Sequence, residues 1–269
     1  MDWKTGTASA NGIDLHYRRG GDGPSVVLAH GITDDGRCWP RLAEALARDY
    51  DLVMIDARGH GLSSKPESGY SPLDHAADLA GLIRVLDLDR PAFIGHSMGA
   101  VNVAVTAGEY PDLARCVVLE DPPWLLNVGP MARRDREEWR KDIQRRNAQS
   151  LETLIEEGRA EHPNWDTSEF EPWATSKQLV SPAVLEWLPA GRDSDWQADA
   201  KRLDVPTLLI TGDPDQGALV TPEAAEVAKS LAADLSVANI AGTGHSIRRE
   251  GFEDYLSVVR AFLSAHLPS

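Results

Sequence analysis

One stretch decides the fold expected of this chain: Pro91-Ala92-Phe93-Ile94-Gly95-His96-Ser97-Met98-Gly99-Ala100-Val101-Asn102-Val103-Ala104-Val105. It begins as a short apolar run typical of a strand and ends as a small-residue run typical of a helix. Between them, Gly95-x-Ser97-x-Gly99 predicts a sharp strand-to-helix turn that exposes the serine hydroxyl. Glycines are needed on both sides because a Cβ there would collide with the neighbouring strand or helix. The pattern therefore predicts a nucleophilic serine.

Composition and charge limit the possible classes of function. The chain has 269 residues, of which 42% are hydrophobic and 26% charged, as in an ordinary globular domain. Its net charge of −15 argues against nucleic acids and anionic membrane surfaces, which bind basic proteins. We see no signal peptide and no membrane-spanning run, so we expect a cytoplasmic location. The two cysteines, Cys38 and Cys116, have no metal-ligand spacing, and we expect neither a metal nor another cofactor.

Strand and helix patterns alternate along most of the chain. Strands are predicted at 8–19, 25–29, 51–55, 115–119, 205–211 and 235–240, with a further strand at the start of the opening stretch. Helices are predicted at 40–48, 72–86, 222–231 and 252–267, and from Ser97 to about Glu109. This alternation indicates an α/β fold with a mostly parallel, doubly wound sheet.

Residues 123–200 interrupt the alternation. They contain no convincing strand, but hold charged helical stretches at 131–147 and 151–158 and six of the eight tryptophans. We therefore predict a main domain formed by residues 1–122 and 201–269, with 123–200 inserted as a helical cap. Most of these tryptophans are expected to pack the insertion onto the sheet. Trp124 and Trp187, together with His30, are candidates for a substrate pocket, since pockets are mostly apolar and aromatic.

A nucleophilic serine needs a base, and the base in turn needs a carboxylate. Among eight histidines, His245 is the best candidate because it lies in a glycine-rich loop just after the last predicted strand. Acids follow two other strands: Glu120 and Asp121 after one, Asp213 and Asp215 after the next. Asp213 is expected to brace its own turn, whereas Asp215 lies further along, towards the loop of His245. The chain order Ser97, Asp215, His245 is that of nucleophile, acid and base.

Together these residues resemble the α/β-hydrolase fold family. The resemblance is to its capped group, which includes carboxylesterases, lactonases, cofactor-free haloperoxidases and meta-cleavage C–C hydrolases. The motifs that carry it are His30-Gly31-Ile32, the Asp-Ala-Arg-Gly-His-Gly-Leu-Ser run at 56–63, Gly95-His96-Ser97-Met98-Gly99, Gly212-Asp213-Pro214-Asp215 and Gly244-His245. The cap resembles no segment that we can place.

The resemblance implies a role for each motif. The acid is the last residue of Gly-x-x-Asp, Asp215, although some relatives carry it after the preceding strand, which keeps Glu120 and Asp121 as alternatives. The oxyanion hole is expected from the backbone N–H groups of Ile32 and Met98. Dehalogenases and epoxide hydrolases of the family have an aspartate where Ser97 stands, so the serine excludes those two chemistries.

The sequence thus predicts a serine hydrolase that cleaves a small-molecule carboxylic ester or lactone, with an apolar substrate part, through an acyl-enzyme. C–C bond hydrolysis uses the same triad and requires a cation for a substrate carboxylate, for which Arg133, Arg134 and Arg192 in the cap are candidates. Perhydrolysis or haloperoxidase activity requires only hydrogen peroxide in place of water. A non-catalytic small-molecule receptor of the same fold is the alternative from another class. The sequence does not decide the oligomeric state.

Overall fold

An eight-stranded sheet forms the centre of the protein. The computed structural model describes residues 3–126, 131, 133–189, 191 and 195–268. The strands are β1 (Lys4–Ala10), β2 (Ile13–Gly20), β3 (Ser25–Ala29), β4 (Asp51–Ile55), β5 (Ala92–His96), β6 (Val117–Glu120), β7 (Thr207–Thr211) and β8 (Leu235–Asn239). They are ordered β1-β2-β4-β3-β5-β6-β7-β8. From β4 through β3 to β8 all neighbouring strands are parallel, and β2 runs antiparallel to both of its neighbours, β1 and β4. The predicted mostly parallel α/β sheet is confirmed.

The first predicted strand is a correction, because residues 8–19 form a hairpin and not one strand. β1 and β2 meet at Asn11-Gly12, and both residues have positive φ, 49° and 76°. An Asn-Gly pair with positive φ at both positions is the favoured two-residue hairpin turn. The predicted strand 8–19 follows the alternating pattern of β2, but it also contains the Asn11-Gly12 turn signal, which separates β1 from β2.

Helices cover both faces of the sheet. They are α1 (Pro40–Leu46), α2 (Pro72–Val85), α3 (Met98–Glu109), α4 (Arg133–Asn147), α5 (Leu151–Glu161), α6 (Phe170–Leu179), α7 (Trp196–Ala200), α8 (Pro222–Leu231), α9 (Ile247–Glu250) and α10 (Phe252–His266). Proline at the first helical position begins α1, α2 and α8, and α2 and α8 are capped by the hydroxyls of Ser71 and Thr221. In the ranges given above, no helix combines the length and the apolar character needed to cross a membrane.

Alternate residues of the central strands pack into two separate cores. Val27 and Phe93 belong to the core beneath α2, α3 and α8, whereas Leu28 and Ile94 belong to the core beneath α1 and α10. Successive strand residues point to opposite faces of a sheet, so continuous apolar runs mark strands covered on both sides. The predicted doubly wound arrangement follows from this packing.

Between β6 and β7, the described residues form helices and no strand. We call residues 123–200 the cap segment. It includes α4 to α7 and a small apolar cluster of its own, with Leu154, Trp165, Phe170, Trp173 and Ala174 buried together. The sequence pattern found α4 and α5 but missed α6 and α7, because these short helices carry a weak amphipathic signal.

Candidate active site

Ser97 lies where the opening stretch predicts, between β5 and α3. Its backbone has φ 54° and ψ −115°, a conformation that L-residues rarely adopt and that is stabilised only by its surroundings. A Cβ on Gly95 would lie 2.5 Å from the Gly99 carbonyl oxygen, and one on Gly99 would lie 2.1 Å from that of Ala29. The two glycines are therefore required by close backbone approach, which holds the strained serine in place.

A chain of two hydrogen bonds joins Ser97 to a carboxylate. His245 Nε2 lies 3.1 Å from Ser97 Oγ, and His245 Nδ1 lies 2.6 Å from an oxygen of Asp121. The Asp121 side chain is fully buried, whereas that of His245 is about one-third exposed. This is the arrangement in which an acid orients a histidine that in turn removes the proton of a serine.

The structure corrects the expected acid from Asp215 to Asp121. Asp215 lies exposed in a single 3₁₀ turn, Pro214–Gln216. Asp121 follows β6, which is directly paired with β5, so its backbone begins one strand away from Ser97; β7, which precedes Asp215, is a strand further. Asp121 has a positive φ of 43°, and its carboxylate accepts hydrogen bonds from the N–H groups of Leu219 and Val220. The alternative that the sequence left open is thus the one that the geometry favours.

Glu120, the other alternative acid, contacts a different partner. Its carboxylate accepts the backbone N–H of Arg248 at 3.0 Å and lies 3.3 Å from the Arg248 guanidinium. Burial raises the pKa of Glu120, although the charge of Arg248 acts in the opposite direction. Glu120 therefore forms an ion pair with Arg248 and does not contact the imidazole ring of His245.

The two backbone groups expected to form the oxyanion hole border the same cavity as Ser97. Ile32 and Met98 both line it, and neither N–H donates a hydrogen bond within the part of the chain that the structure describes. The Ile32 carbonyl lies 2.8 Å from His60 Nε2. Burial lowers the pKa of His60 to about 3, and a neutral ring has one N–H to donate to either of its two carbonyl neighbours, Ile32 O and, at 2.8 Å from Nδ1, Arg58 O. The oxyanion role of the two N–H groups stays a prediction.

His96 contacts both the backbone and the ring of His245. Its Nε2 lies 3.0 Å from the carbonyl oxygen of His245, and the two rings are 4.8 Å apart. Burial lowers the pKa of His96 well below its ordinary value, so it is a neutral donor that holds the His245 backbone.

Comparison with known proteins agrees with this fold. Residues 24–250 match the family described as alpha/beta hydrolase fold. The chain belongs to the alpha/beta hydrolase family. It is 29% identical to a 2-(acetamidomethylene)succinate hydrolase of Mesorhizobium japonicum, over 94% of this chain and 92% of the relative. It is also 29% identical to an N-formylmaleamate deformylase of Pseudomonas putida, over 96% of both chains. A crystal structure of E-2-(acetamidomethylene)succinate hydrolase superposes with a TM-score of 0.81 at 28% identity, over 98% of this chain and all of the other.

A cavity of about 490 Å³ opens in front of the serine of this alpha/beta hydrolase. Ser97 and His245 line it, and the cap segment contributes four tryptophans: Trp139, Trp165, Trp173 and Trp187. The predicted pocket residue Trp187 is thus in place, with its Nε1 donating to Asn102.

The other two predicted pocket residues do not line this cavity. Trp124 is fully buried in the core and stacks on Trp196, with ring centroids 5.2 Å apart. His30 is buried, and its Nε2 accepts the Ala57 N–H, which shapes the loop after β4. Trp124 and His30 have aromatic rings and lie near site residues in the sequence. Those two properties do not indicate whether a side chain points into the cavity or into the core.

The basic residues in the cavity wall of this hydrolase were missed by the sequence analysis. They are Arg146, Lys177 and Arg249. Of the three arginines expected to bind a substrate carboxylate, Arg134 is 85% exposed, while the Arg133 side chain and Arg192 lie outside the described residues. The charged pattern of α4 and α6 contains no signal that singles out Arg146 or Lys177. Within the described ranges, no three histidine, cysteine or acidic residues are grouped as a metal site requires.

Proposed function

We propose that this protein hydrolyses a small acyl compound through a covalent acyl-Ser97 intermediate. The observation that carries the proposal is the buried chain of hydrogen bonds from Asp121 through His245 to Ser97. Serine hydroxyls are weak nucleophiles near neutral pH, and an oriented histidine supplies the missing base. The strained backbone at Ser97 is further support, as are the N–H groups of Ile32 and Met98, which donate to no acceptor among the described residues.

The reaction has two halves. His245 Nε2 takes the proton of Ser97 as Oγ attacks the acyl carbon, and the oxyanion is held by the N–H groups of Ile32 and Met98. When the tetrahedral adduct collapses, the leaving group departs with the proton from His245. Water then attacks the acyl-enzyme with His245 again as base, and the carboxylic acid leaves as Ser97 regains its proton. Asp121 stays ionised and stabilises the imidazolium throughout.

The first candidate substrate is a carboxylic ester or lactone with an apolar part. The tryptophans of the cap segment that line the cavity favour it, because aromatic walls bury apolar groups efficiently. We expect p-nitrophenyl esters of short to medium acids to be cleaved, and lactones of matching size.

Exchange of the serine tests the reaction type. Ser97→Ala should lower turnover of p-nitrophenyl esters by about 10³-fold or more, because a triad without its nucleophile retains little activity. A fluorophosphonate should label the wild-type protein at Ser97 and leave the variant unlabelled. Ser230→Ala, an exposed serine on α8, is the matched control and should behave as wild type. Wild-type turnover by Ser97→Ala would show that the serine is not the nucleophile.

A second candidate is an acyl compound that carries carboxylates and is cleaved at a C–N or C–C bond. The names of the two relatives contain succinate and maleamate skeletons and acylated nitrogens, acetamido and N-formyl. The cavity wall also holds three basic side chains, Arg146, Lys177 and Arg249, beside the acids Asp34 and Glu161. Arg146 lies over the Trp173 ring at 5.3 Å and pairs with Glu161 at 2.8 Å, so its charge is at the wall although partly compensated.

Matched substrates separate the two candidates. The panel pairs p-nitrophenyl acetate with the mono-p-nitrophenyl ester of succinate, and adds an N-acetyl enamide with two carboxylates and a vinylogous diketone acid. If carboxylates are recognised, Arg146→Met should raise KM for the charged compounds about tenfold and leave the neutral ester unchanged, while Arg145→Met, an exposed neighbour, should affect neither. Equal KM values for both esters, with no cleavage of the enamide or the diketone acid, would leave the first candidate.

A further inference from the structure

A buried ionic cluster lies between the cap segment, the loop after β3 and the helix that follows His245. Its centre is Asp34, which is 5% exposed. Lys177 Nζ lies 2.8 Å from one oxygen of Asp34, and Arg249 Nη2 lies 3.1 Å from the other. Lys177 belongs to α6 of the cap segment and Arg249 to α9, so one carboxylate joins three parts of the chain.

Asp34 is held in its ionised form by the surrounding cations. Burial alone would raise the pKa of Asp34, but the positive charges of Arg249, Lys177 and Arg248 outweigh burial and hold it well below the ordinary value. Arg249 also pairs with Glu169 at 3.1 Å. Removal of one partner from a buried ion pair leaves the other charge uncompensated, which lowers the stability of the folded protein. The side chains of this cluster therefore hold one another in place.

Lys177 also contacts the loop directly. Its Nζ donates to the Thr33 carbonyl oxygen at 2.8 Å and lies 3.0 Å from the Thr33 hydroxyl. With Asp34 these are three partners, which match the three N–H bonds of an ammonium group. Thr33 immediately follows Ile32, whose carbonyl oxygen lies 2.8 Å from His60 Nε2. The peptide group that carries the Ile32 N–H is held at its own carbonyl, because Gly31 O accepts the Asp34 N–H at 3.0 Å and lies 2.8 Å from His30 Nδ1. Lys177 of the cap segment therefore acts on this peptide group through its contacts with Thr33 and Asp34.

We propose that Lys177 is a positioning residue for the oxyanion hole: by holding Thr33 and Asp34 from the cap segment, it fixes the direction of the Ile32 N–H. This inference rests on the acyl-transfer function proposed above. Donors that stabilise an oxyanion work because they are oriented before the charge develops, so a small displacement of the loop weakens the transition state more than the bound substrate. The contact of Lys177 with Thr33 and Asp34 then couples the position of the cap segment to the geometry of the oxyanion hole.

Kinetics of matched lysine variants test the inference. Lys177→Met keeps the length of the side chain and removes all three hydrogen bonds, and Lys177→Arg keeps the charge. We expect Lys177→Met to lower kcat and the rate of fluorophosphonate labelling about 10- to 100-fold, less than the loss of a donor itself, with KM within threefold of wild type. Lys177→Arg should recover most of the loss. Arg145→Met, which removes an exposed ion pair of the same segment, should change none of these values.

Hydrogen–deuterium exchange provides a readout that does not depend on the substrate. In Lys177→Met we expect faster exchange in the peptide that covers residues 30–38 and in the cap segment, with unchanged exchange in β5 to β7. Lys177→Gln, which keeps one donor, should be intermediate and serves if the methionine variant is unstable. If the wild-type protein cleaves no acyl compound, the proposed function fails separately, and the exchange experiment still decides the positioning role.

Three outcomes would overturn the inference. Unchanged kcat and labelling would show that the loop holds its geometry without Lys177. A rise in KM with unchanged kcat would make Lys177 a substrate-binding residue. Faster exchange throughout the chain, with Arg145→Met normal, would make its role one of global stability.

Discussion

Acidic residues follow both β6 and β7, yet the loop after β6 (residues 121–126, the β6 loop) and the loop after β7 (residues 212–221, the β7 loop) differ in kind. Glu120, the last residue of β6, and Asp121, the first residue after it, are fully buried, and the chain continues into the buried Trp124. After β7, Asp215 is exposed in a single 3₁₀ turn. The β7 loop nevertheless serves the β6 loop, because the N–H groups of Leu219 and Val220 hold the Asp121 carboxylate. One loop carries the carboxylate that contacts His245, and the other carries the N–H groups that hold this carboxylate.

The sharpest test of this difference replaces each of the two aspartates, Asp121 and Asp215, by asparagine. Asp121→Asn should lower kcat about 10³- to 10⁴-fold, because the amide stabilises neither the required tautomer of His245 nor its imidazolium form. Asp215→Asn, the matched control, should keep wild-type kcat and KM. Steady-state kinetics with the ester that the wild-type protein cleaves best, together with circular dichroism to show that both variants fold, measures the contrast. A large loss in Asp215→Asn with normal Asp121→Asn would restore the assignment that the sequence suggested.

The burial of the β6 loop predicts the next largest effect. Trp124 is fully buried against Trp196, so Trp124→Ala should lower the free energy of unfolding by about 3–5 kcal/mol, the range for a large aromatic removed from a core. Gln216→Ala, in the exposed 3₁₀ turn of the β7 loop, should change it by less than about 0.5 kcal/mol. Urea unfolding followed by tryptophan fluorescence measures both. Similar losses would mean that the two loops are equally integrated into the core.

The sequence predicts the fold and two members of the site because these depend on local pattern. Gly95-x-Ser97-x-Gly99 encodes its own turn, and the glycine-rich loop places His245 beyond the last strand. The acid depends on strand order and on a positive φ at Asp121, neither of which is encoded in spacing. Lys177 was missed for the same reason: its significance arises only where a cap helix meets Thr33 and Asp34.

The pH dependence of stability probes Glu120, the buried acid at the end of β6. Because burial raises the folded-state pKa of Glu120 above the unfolded value of about 4.3, its contribution to stability is present at low pH and is lost as pH rises through the folded pKa. The difference in free energy of unfolding between wild type and Glu120→Gln should therefore shrink from pH 4.5 to pH 7.5. Urea titrations at several pH values measure it. A difference that grows with pH would show that the pair with Arg248 dominates over burial.

The smallest expected effect concerns Asp213, which links the β7 loop to the loop of the base. Its carboxylate accepts the Gly242 N–H at 2.7 Å, and its own N–H donates to the Thr243 carbonyl at 2.7 Å. Asp213→Ala removes only the first bond, so we expect a loss of about 1 kcal/mol in the free energy of unfolding and less than a threefold fall in kcat. Asp213→Asn, which keeps an acceptor oxygen, should lose about half as much. A fall in kcat above tenfold would mean that the β7 loop sets the position of His245 as tightly as the β6 loop does. The two loops would then differ in their distance from Ser97 but not in their role.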